Sequence, residues 1–398
     1  MVARTVIATI CSNNYLSQAR VFFDTVRRFH PDAALVLGLA DLVDPSCAYP
    51  EGVEVVEAAA LGVADFPSFA FAYDVTEFNT AIKPFLMLRL FERGHRDVVY
   101  FDPDIALYRR LDDLLALLDG GASLVLTPHF CSPPGEGAAR TELHILQTGV
   151  FNLGFIAASQ TPETEPLLRW WAGRLRHDCV NEQDRGLFVD QKFMDLIPGL
   201  AAHAVVARDT GFNVAYWNLG RRTVGWGADG GWTVDGRPLG FFHFSGFAPE
   251  RPLEVSRYTP EPPATGALAA LLADYAERRR AASAPAGAEA RPYAYGRFAS
   301  GIRIPDAVRH MFRDKHLTWS GDPFATYDRY CRLPHPGCRI GTGGEIVTNL
   351  MHHHHGRHAA LRHSYDLQHP AGVAAYARFF AGEAESRGFD PSLWRVAA

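Results

Sequence analysis

Lysine and long hydrophobic runs are both scarce in this sequence. Of the 39 lysines and arginines among its 398 residues, the only lysines are Lys83, Lys192 and Lys315. The formal net charge is −5, and a weakly acidic chain without basic clusters gives no reason to expect nucleic-acid binding. No apolar run approaches the roughly 20 residues that a bilayer-spanning helix needs. The sequence therefore predicts no transmembrane segment.

Paired cysteines are missing as well. The six cysteines are scattered and form no C-x-x-C motif: Cys11, Cys47, Cys131, Cys179, Cys331 and Cys338. The first residues turn polar too soon for a secretory signal, and a chain of this size does not need a disulfide framework. We therefore expect reduced thiols and a cytoplasmic location, with peripheral attachment to the inner membrane as an alternative.

Short apolar runs alternate with helical patterns through the first two thirds of the chain. Four runs have the apolar character of buried strands: 5–11, 33–40, 97–101 and 148–159. Helical periodicity separates them, most clearly over 78–94, and returns over 163–198. This alternation predicts an α/β fold with a mostly parallel sheet.

The composition changes near residue 258. The segment that follows has a helical pattern, a linker rich in alanine and proline, and then short helices and loops rich in histidine and aromatic residues. We therefore expect an α/β domain over 1–257 and a mainly helical accessory region over 258–398.

A D-P-D motif directly follows the predicted strand 97–101. Asp102 and Asp104 repel each other unless a cation lies between them. Carboxylates at the carboxyl end of a strand suit a divalent cation that neutralises a diphosphate. A polar turn is the alternative, but the position after a buried strand favours a metal site.

Two further motifs place polar residues and glycines in apolar strands. In "HFSG", His243 is either a structural histidine or a third metal ligand, and Gly246 lets the backbone approach a phosphate. In "FNLGF", Asn152 and Gly154 indicate either a β-bulge or a hydrogen-bonding site for a polar ligand.

Three other features have competing interpretations. Asp190 and Gln191 in "VDQKF" lie in an apolar segment that we expect to be helical, where they are either a solvated face or ligand contacts. Lys83 either reaches a ligand from the helix before the D-P-D strand or only extends along the surface. For the histidine-rich segment 351–358, adventitious surface binding of metal is favoured over a built site.

The order of these motifs resembles that of the GT-A nucleotide-sugar glycosyltransferases. "CSNNYL", Lys83, "VVYFDPDIAL", "FNLGF", "DQKF" and "HFSG" follow one another as in the group of glycogenin and the bacterial lipooligosaccharide galactosyltransferases. Other stretches are similar to glycosyltransferases of bacterial surface-polysaccharide clusters. The resemblance covers about residues 5–257 and implies a GT-A catalytic domain over 1–257 with a helical C-terminal extension over 258–398.

The resemblance implies a role for each matching residue. Asp102, Asp104 and His243 would hold Mn²⁺ or Mg²⁺ against the donor diphosphate. Donor contacts are implied for Cys11, Asn13, Tyr15, Lys83, Asp102, Asn152, Gly154 and Gly246. Asp190 and Gln191 would be the catalytic pair beside the anomeric carbon, with Asp190 stabilising positive charge on the sugar. In that group a lysine follows the H-x-x-G segment, and here Arg251 and Arg257 are the candidate replacements.

The implied activity is transfer of a hexose, with retention of configuration, from a nucleotide-diphosphate sugar to a bacterial glycan, glycolipid or glycoconjugate. The sequence leaves the oligomeric state open. A non-catalytic nucleotide-sugar-binding scaffold protein of a polysaccharide assembly system is one alternative. A haloacid-dehalogenase-type phosphatase is another, with Asp102 as nucleophile and Asp322 or Asp328 as the partner acid.

Overall fold

The computed structural model describes residues 2–133, 139–259, 262–283, 292–316 and 318–396, with only the backbone at 139 and 140. Two compact units divide the chain. The first consists of Met1–Gly62 and Thr76–Arg291, and the second of Val63–Val75 and Pro292–Ala398.

The strands of the described residues are, in chain order, β1 Thr5–Cys11, β2 Ala34–Leu39, β3 Glu54–Glu57, β4 Asp97–Phe101, β5 Ile105–Leu107, β6 Leu124–Pro128, β7 Phe151–Ser159, β8 Asn181–Glu182, β9 Leu187–Phe188, β10 Ala204–Val206, β11 Val224–Trp226, β12 Trp232–Val234, β13 Arg237–Pro238 and β14 Phe241–His243. The α-helices are α1 Leu16–Phe29, α2 Phe66–Ala72, α3 Val75–Ala81, α4 Lys83–Glu92, α5 Asp112–Asp119, α6 Ala139–Thr148, α7 Thr164–Asp178, α8 Ile197–Leu200, α9 Gly266–Ala282, α10 Asp306–Lys315, α11 Pro323–Cys331, α12 Asn349–Arg357, α13 Ala359–Ser364 and α14 Pro370–Ser386.

A seven-stranded sheet forms the centre of the first unit, in the order β10-β6-β7-β4-β1-β2-β3. All neighbouring pairs are parallel except those of β7, which runs antiparallel to both β4 and β6. The predicted α/β fold with a mostly parallel sheet is confirmed. Three small antiparallel sheets of the described residues lie outside the central sheet: β11-β12-β13, β14 with β5, and β8 with β9.

Most predicted strands match the structure closely. β1 and β4 have the predicted bounds, and β2 and β7 lie within theirs. The predicted helix 78–94 is divided into α3 and α4, and Pro84 occupies the first turn of α4, where proline needs no N–H partner.

The helix predicted over 163–198 is wrong beyond Asp178, where α7 ends. The chain then forms the β8–β9 hairpin, a turn and a 3₁₀ segment at Lys192–Leu196. Gly186 and Val189 have φ values of 73° and 40°, and these left-handed conformations are incompatible with a continuous α-helix. Asp190 and Gln191 therefore lie at a turn.

Three pairs of aromatic rings pack beneath the edge of the sheet where the D-P-D motif lies. Phe101 at the end of β4 packs against Phe155 and Phe241 with ring centroids 5.1 Å and 5.2 Å apart. Phe241 also stacks on Phe212 at 5.6 Å. The residues that follow β4 and β14 thus emerge from a dense apolar core.

The second unit is built mainly from α2 and α10 to α14. The early segment Val63–Val75 belongs to it because the buried Phe71 packs against Phe312 and Phe324, with centroids 4.8 Å and 5.1 Å apart. The sequence placed a boundary at 257 and 258, whereas the later change between the units falls at Arg291 and Pro292. Helix α9 lies in the first unit, where Tyr275 stacks on Phe244 at 3.6 Å. No helix of the described residues is long and apolar enough to cross a bilayer.

Candidate metal and donor site

The antiparallel pair β5–β14 brings His243 to the D-P-D motif. Strand β5 begins one residue after Asp104, and its Ile105 lies opposite His243 in the ladder. Phe244 N–H donates to Asp104 O at 2.9 Å, which fixes the two segments on either side of the site. Three ladder pairs thus bring together Asp104 and His243, which are 139 positions apart in the sequence.

The three predicted metal ligands converge. His243 Nε2 lies 3.1 Å from Asp104 Oδ1 and 3.9 Å from Asp102 Oδ2, and all three ligand atoms lie within 4.8 Å of one another. The imidazole is buried, but the carboxylate side chains of Asp102 and Asp104 keep 29% and 20% of their surface exposed. The two carboxylates are therefore accessible from solvent, whereas the imidazole is covered.

Asn152 determines which nitrogen of His243 faces the acids. Asn152 Oδ1 accepts Gly154 N–H and Asn213 Nδ2, each at 3.1 Å, and lies 3.2 Å from His243 Nδ1. A backbone N–H can only donate, so the amide oxygen must point at this group. His243 consequently carries a proton on Nδ1, and its Nε2 faces Asp104, where it either holds a second proton or ligates a metal ion.

A lone pair that faces carboxylates at this distance requires a proton or a metal ion between them. Burial alone would raise the pKa of Asp104, but attraction to His243 outweighs it and lowers the pKa below its usual value. Burial would lower the pKa of His243, and the Asp104 carboxylate outweighs this and raises it. Two carboxylates and an imidazole suit Mn²⁺ or Mg²⁺, so these residues fit the predicted divalent cation.

Gly154 is required by the position of His243. An added Cβ would contact His243 Cε1, and it would lie 2.7 Å from both His243 Nδ1 and Asn152 Oδ1. Gly154 also uses its carbonyl to accept Asp102 N–H at 2.7 Å. The glycine in "FNLGF" thus lies against His243 and Asn152. The β6–β7 ladder is also irregular here, because Leu126 pairs with Ile156 but Pro128 pairs with Phe151, as the bulge alternative predicts.

Lys83 lies behind the acids as a buried cation. Its Nζ donates to Asp190 Oδ2 at 2.5 Å and to Leu153 O at 2.7 Å, and it lies 3.9 Å from Asp102 Oδ1. It also sits 4.4 Å from the centre of the Tyr100 ring. The side chain is 1% exposed, so the alternative of an extended surface lysine is excluded.

The turn that follows β9 holds Asp190 and Gln191 in place. Trp171 Nε1–H donates to Asp190 O at 3.0 Å. Gln191 Nε2 donates to Thr148 O at 2.9 Å, and its Oε1 accepts Leu153 N–H at 3.3 Å. Both side chains are buried. Burial raises the pKa of the Asp190 carboxyl, and Lys83 offsets this only in part.

The predicted nucleotide-binding residues lie at the end of β1 and directly after it. Cys11 is buried, and burial raises its pKa to a value that keeps the thiol protonated. Asn13 Nδ2 donates to Leu42 O at 2.9 Å, and its Oδ1 accepts Tyr49 O–H at 2.9 Å. Tyr15 is 38% exposed. Of these residues, Tyr15 has the free ring surface that base stacking needs, whereas Asn13 is engaged within the protein.

The loop after His243 identifies one of the two candidate arginines. Arg257 N–H donates to Gly246 O at 3.0 Å, and the guanidinium contacts Tyr258 O–H at 2.8 Å. Gly246 has φ of 73°, and a Cβ there would lie 2.6 Å from Ser256 Oγ. Arg251 instead pairs with Glu254 at 2.9 Å on the exposed surface. Arg257 is therefore the arginine that the fold holds beside the H-x-x-G segment.

Sequence reasoning missed two residues of the site. Tyr100 donates its hydroxyl to Asp102 Oδ1 at 2.7 Å, although as a strand residue it looked like core. Asn213 is fully buried, has φ of 50° and binds Asn152 and Thr127. The asparagine in the apolar "GFNVAYW" was the available signal, because a buried amide needs partners.

No protein-family model matches the chain. Two proteins of Bacillus subtilis (strain 168) align with parts of it. The uncharacterized protein YfnF is 28% identical over 179 residues, which are 44% of this chain and 58% of YfnF. The uncharacterized protein YfnD is 34% identical over 132 residues, which are 32% of this chain and 39% of YfnD. The chain thus spans less than two thirds of the length of either relative.

Three solved structures that align with the chain are glycosyltransferases. Apo mouse xyloside xylosyltransferase 1 is 14% identical with a TM-score of 0.37, over 60% of this chain and 97% of its own. The galactosyltransferase LgtC, in complex with donor and acceptor sugar analogues, is 16% identical with a TM-score of 0.39, over 70% and 97%. GlyE of Streptococcus pneumoniae TIGR4 is 14% identical with a TM-score of 0.40, over 72% and 66%. These values are too low to assign a function, which rests on the chain's own residues.

Proposed function

We propose that this chain is a metal-dependent glycosyltransferase. It transfers a hexose from a nucleotide-diphosphate sugar to a glycan, glycolipid or glycoconjugate acceptor in bacterial polysaccharide biosynthesis. The observation that carries the proposal is the convergence of Asp102, Asp104 and His243 Nε2 at the carboxyl edge of the sheet. Such an edge is where open α/β sheets bind their ligands.

Asp102, Asp104 and His243 would hold the Mn²⁺ or Mg²⁺ ion. When bound, the metal supplies Lewis-acid assistance to the departing nucleoside diphosphate. The protein contributes the orientation of the ligands: Asn152 fixes the tautomer of His243, and Tyr100 fixes Asp102 Oδ1 through a hydrogen bond of 2.7 Å.

The donor site extends from this cluster to the residues on either side. Tyr15 offers an exposed ring for the base, and Arg257 carries a positive charge beside Gly246 for the diphosphate. Lys83, Asn152 and Gly154 contact the donor sugar or position the groups that do, while Cys11 and Asn13 shape the base-binding segment.

Asp190 and Gln191 are the proposed catalytic pair. Positive charge that develops on the sugar is stabilised by a nearby carboxylate, and Asp190 accepts a hydrogen bond from the Lys83 ammonium. We propose same-face transfer with retention of configuration. The anomeric proton couplings of the product, measured by NMR, test this directly, and an inverted product would contradict it.

A thermal-shift screen of nucleotide-diphosphate sugars, each with and without Mn²⁺, tests the proposed function. A ligand at 100 times its Kd adds about 2.7 kcal/mol to the stability. We expect a shift that requires both donor and metal and is lost in Asp104→Asn. Asp24→Asn is the matched control, because Asp24 is 72% exposed and pairs with Arg27 within its own helix. Equal shifts with and without Mn²⁺ would contradict the metal-dependent site.

Donor hydrolysis separates the transferase from a binding scaffold. The transferase releases sugar slowly in the presence of Mn²⁺, and this release disappears in Asp104→Ala. Binding without turnover, across a broad panel of donors and acceptors, would favour the scaffold.

One of the two candidate partner acids of the phosphatase alternative has a structural role. Asp322 accepts Phe324 N–H at 2.9 Å as the N-cap of α11, so Asp328 is the candidate that this alternative retains. Metal-dependent phosphate release from a phosphomonoester that is lost in Asp102→Asn would revive this alternative.

A further inference from the structure

A second group of metal-ligand side chains lies in the second unit. His335, Cys338 and His352 each offer one ligand atom, and the three atoms lie within 4.8 Å of one another. All three residues are half-buried. The sequence favoured adventitious binding by the histidine-rich segment 351–358, but only His352 of that segment takes part in this cluster, and its partners come from an earlier loop.

A tight turn brings His335 and Cys338 together. Cys338 N–H donates to His335 O at 3.2 Å, with Pro336 and Gly337 between them. Cys338 Sγ lies 3.8 Å from His335 Nδ1. Two ligands separated by two residues across a turn is the spacing that zinc-binding loops use.

The hydrogen bonds determine where the protons lie in this turn. Gly337 N–H donates to His335 Nδ1 at 3.1 Å, so Nδ1 carries a lone pair rather than a proton. Because Nδ1 has a single lone pair, the Gly337 N–H and the Cys338 thiol compete for it. A metal ion bound at Nδ1 would displace both donors.

Backbone pairing places His352 beside this turn. His335 N–H donates to Val347 O, and Asn349 N–H at the start of α12 donates to Leu333 O, each at 2.9 Å. The His335 and His352 rings are parallel, with an interplanar angle of 8° and centroids 3.5 Å apart. The ring of a histidine on α12 thus lies directly against the ring of a histidine in the 333–338 loop.

We propose that His335, Cys338 and His352 form a zinc site that links the 333–338 loop to α12. Ligands of a tetrahedral zinc ion lie roughly 3.4–3.7 Å apart, close to the 3.8 Å between Cys338 Sγ and His335 Nδ1. One thiolate and two imidazoles select zinc over Mn²⁺ and Mg²⁺.

Binding breaks the Cys338 S–H bond, forms a Zn–S bond and releases the proton to solvent. The stacked rings tilt apart, because each nitrogen lone pair lies in its ring plane, and water fills the fourth position.

Metal analysis of the full chain, expressed without a histidine tag, tests the site. After loading with Zn²⁺ and dialysis against a weak chelator, we expect one retained equivalent, lost in Cys338→Ser and in His352→Gln. The matched controls Cys47→Ser and His363→Gln, which change residues outside the cluster, should retain it. Equal zinc in all five proteins would mean adventitious binding and overturn the proposal, as would no retained zinc in the unmodified chain.

Cobalt distinguishes this site from the donor site. Co²⁺ bound by a thiolate gives a charge-transfer band in the near ultraviolet, whereas Asp102, Asp104 and His243 contain no thiolate. We expect the band to persist in Asp104→Asn and to vanish in Cys338→Ser. His352→Cys adds a second thiolate and should give roughly twice the intensity, so the proposal stays testable if Cys338→Ser fails to fold. A charge-transfer band that is unchanged in Cys338→Ser and in His352→Cys would refute the zinc site, independently of whether the chain is a glycosyltransferase.

Discussion

Lys83 and Asp190, separated by 107 positions in sequence, form an ion pair in the interior of the first unit. Their side chains are 1% and 3% exposed, and Nζ lies 2.5 Å from Oδ2. The same Nζ lies 3.9 Å from Asp102 Oδ1. One buried cation thus connects the proposed catalytic carboxylate with a proposed metal ligand.

The first prediction concerns removal of that cation. Lys83→Met keeps much of the side-chain volume but leaves Asp190 buried without its partner. Breaking a buried pair in this way costs about 3–5 kcal/mol, so we expect a loss of that size in the free energy of unfolding. Urea titration followed by circular dichroism measures it.

Lys192→Met is the matched control for this prediction. Lys192 pairs with Asp195 at 2.8 Å, but its side chain is 23% exposed, and pairs in contact with water contribute about 0–1 kcal/mol. The double variant Lys83→Met with Asp190→Asn should recover most of the lost stability. An equal loss in both lysine variants would show that the burial of Lys83 has no special role.

Lys83 and Asp190 show which parts of the site can be predicted from the sequence and which cannot. The ends of β1 and β4 followed from short apolar runs, and their common edge followed from parallel pairing, so Asp102 could be placed. The Lys83–Asp190 contact depends on the turn that left-handed Val189 introduces. A periodicity argument does not detect such a turn, and it predicted a helix there instead.

Strand β7 and the segment Val63–Val75 show a second limit. An antiparallel strand between β4 and β6 has the same buried, apolar pattern as its parallel neighbours, so its direction was not predictable from composition. Phe71 looks like any core aromatic, and its place in the second unit depends on contacts with residues more than 200 positions later.

The second prediction concerns the pH dependence of stability. Burial raises the pKa of Asp190 above its unfolded value of about 3.9. Between the unfolded and the folded pKa, the folded chain therefore binds more protons than the unfolded chain. The contribution of Asp190 to the free energy of unfolding therefore falls as pH rises from about 4 through the folded pKa, and it is constant above it.

Asp190→Asn removes this contribution. The difference in unfolding free energy, unmodified chain minus variant, should decrease over this pH interval in urea titrations made from pH 4 to pH 7. The other titrating groups cancel in the difference. A difference that rises with pH would mean that Lys83 lowers the pKa of Asp190 more strongly than burial raises it.

The third prediction concerns Gly154. In Gly154→Ala the added Cβ lies 2.7 Å from His243 Nδ1 and Asn152 Oδ1, so the imidazole must leave its present position beside Asp104. We expect the affinity for Mn²⁺, measured by calorimetry with a nucleoside diphosphate present, to fall ~10- to 100-fold, as for other disturbances of a ligand's support. Gly173→Ala on α7 is the control, because nothing lies within 4 Å of its added Cβ. Unchanged Mn²⁺ affinity in Gly154→Ala would count against His243 as a ligand.

The last prediction separates two roles for Asn152. The resemblance implies contact with the donor sugar, whereas the structure directs Asn152 Oδ1 at His243 Nδ1, 3.2 Å away. Asn152→Leu removes the acceptor that fixes the His243 tautomer, while Asn152→Asp keeps an oxygen there. If the asparagine positions His243, Mn²⁺ binding with a nucleoside diphosphate that lacks the sugar should weaken ~10- to 100-fold in Asn152→Leu and persist in Asn152→Asp. If it only contacts the sugar, Mn²⁺ binding stays unchanged in both variants and only the KM for the complete donor rises.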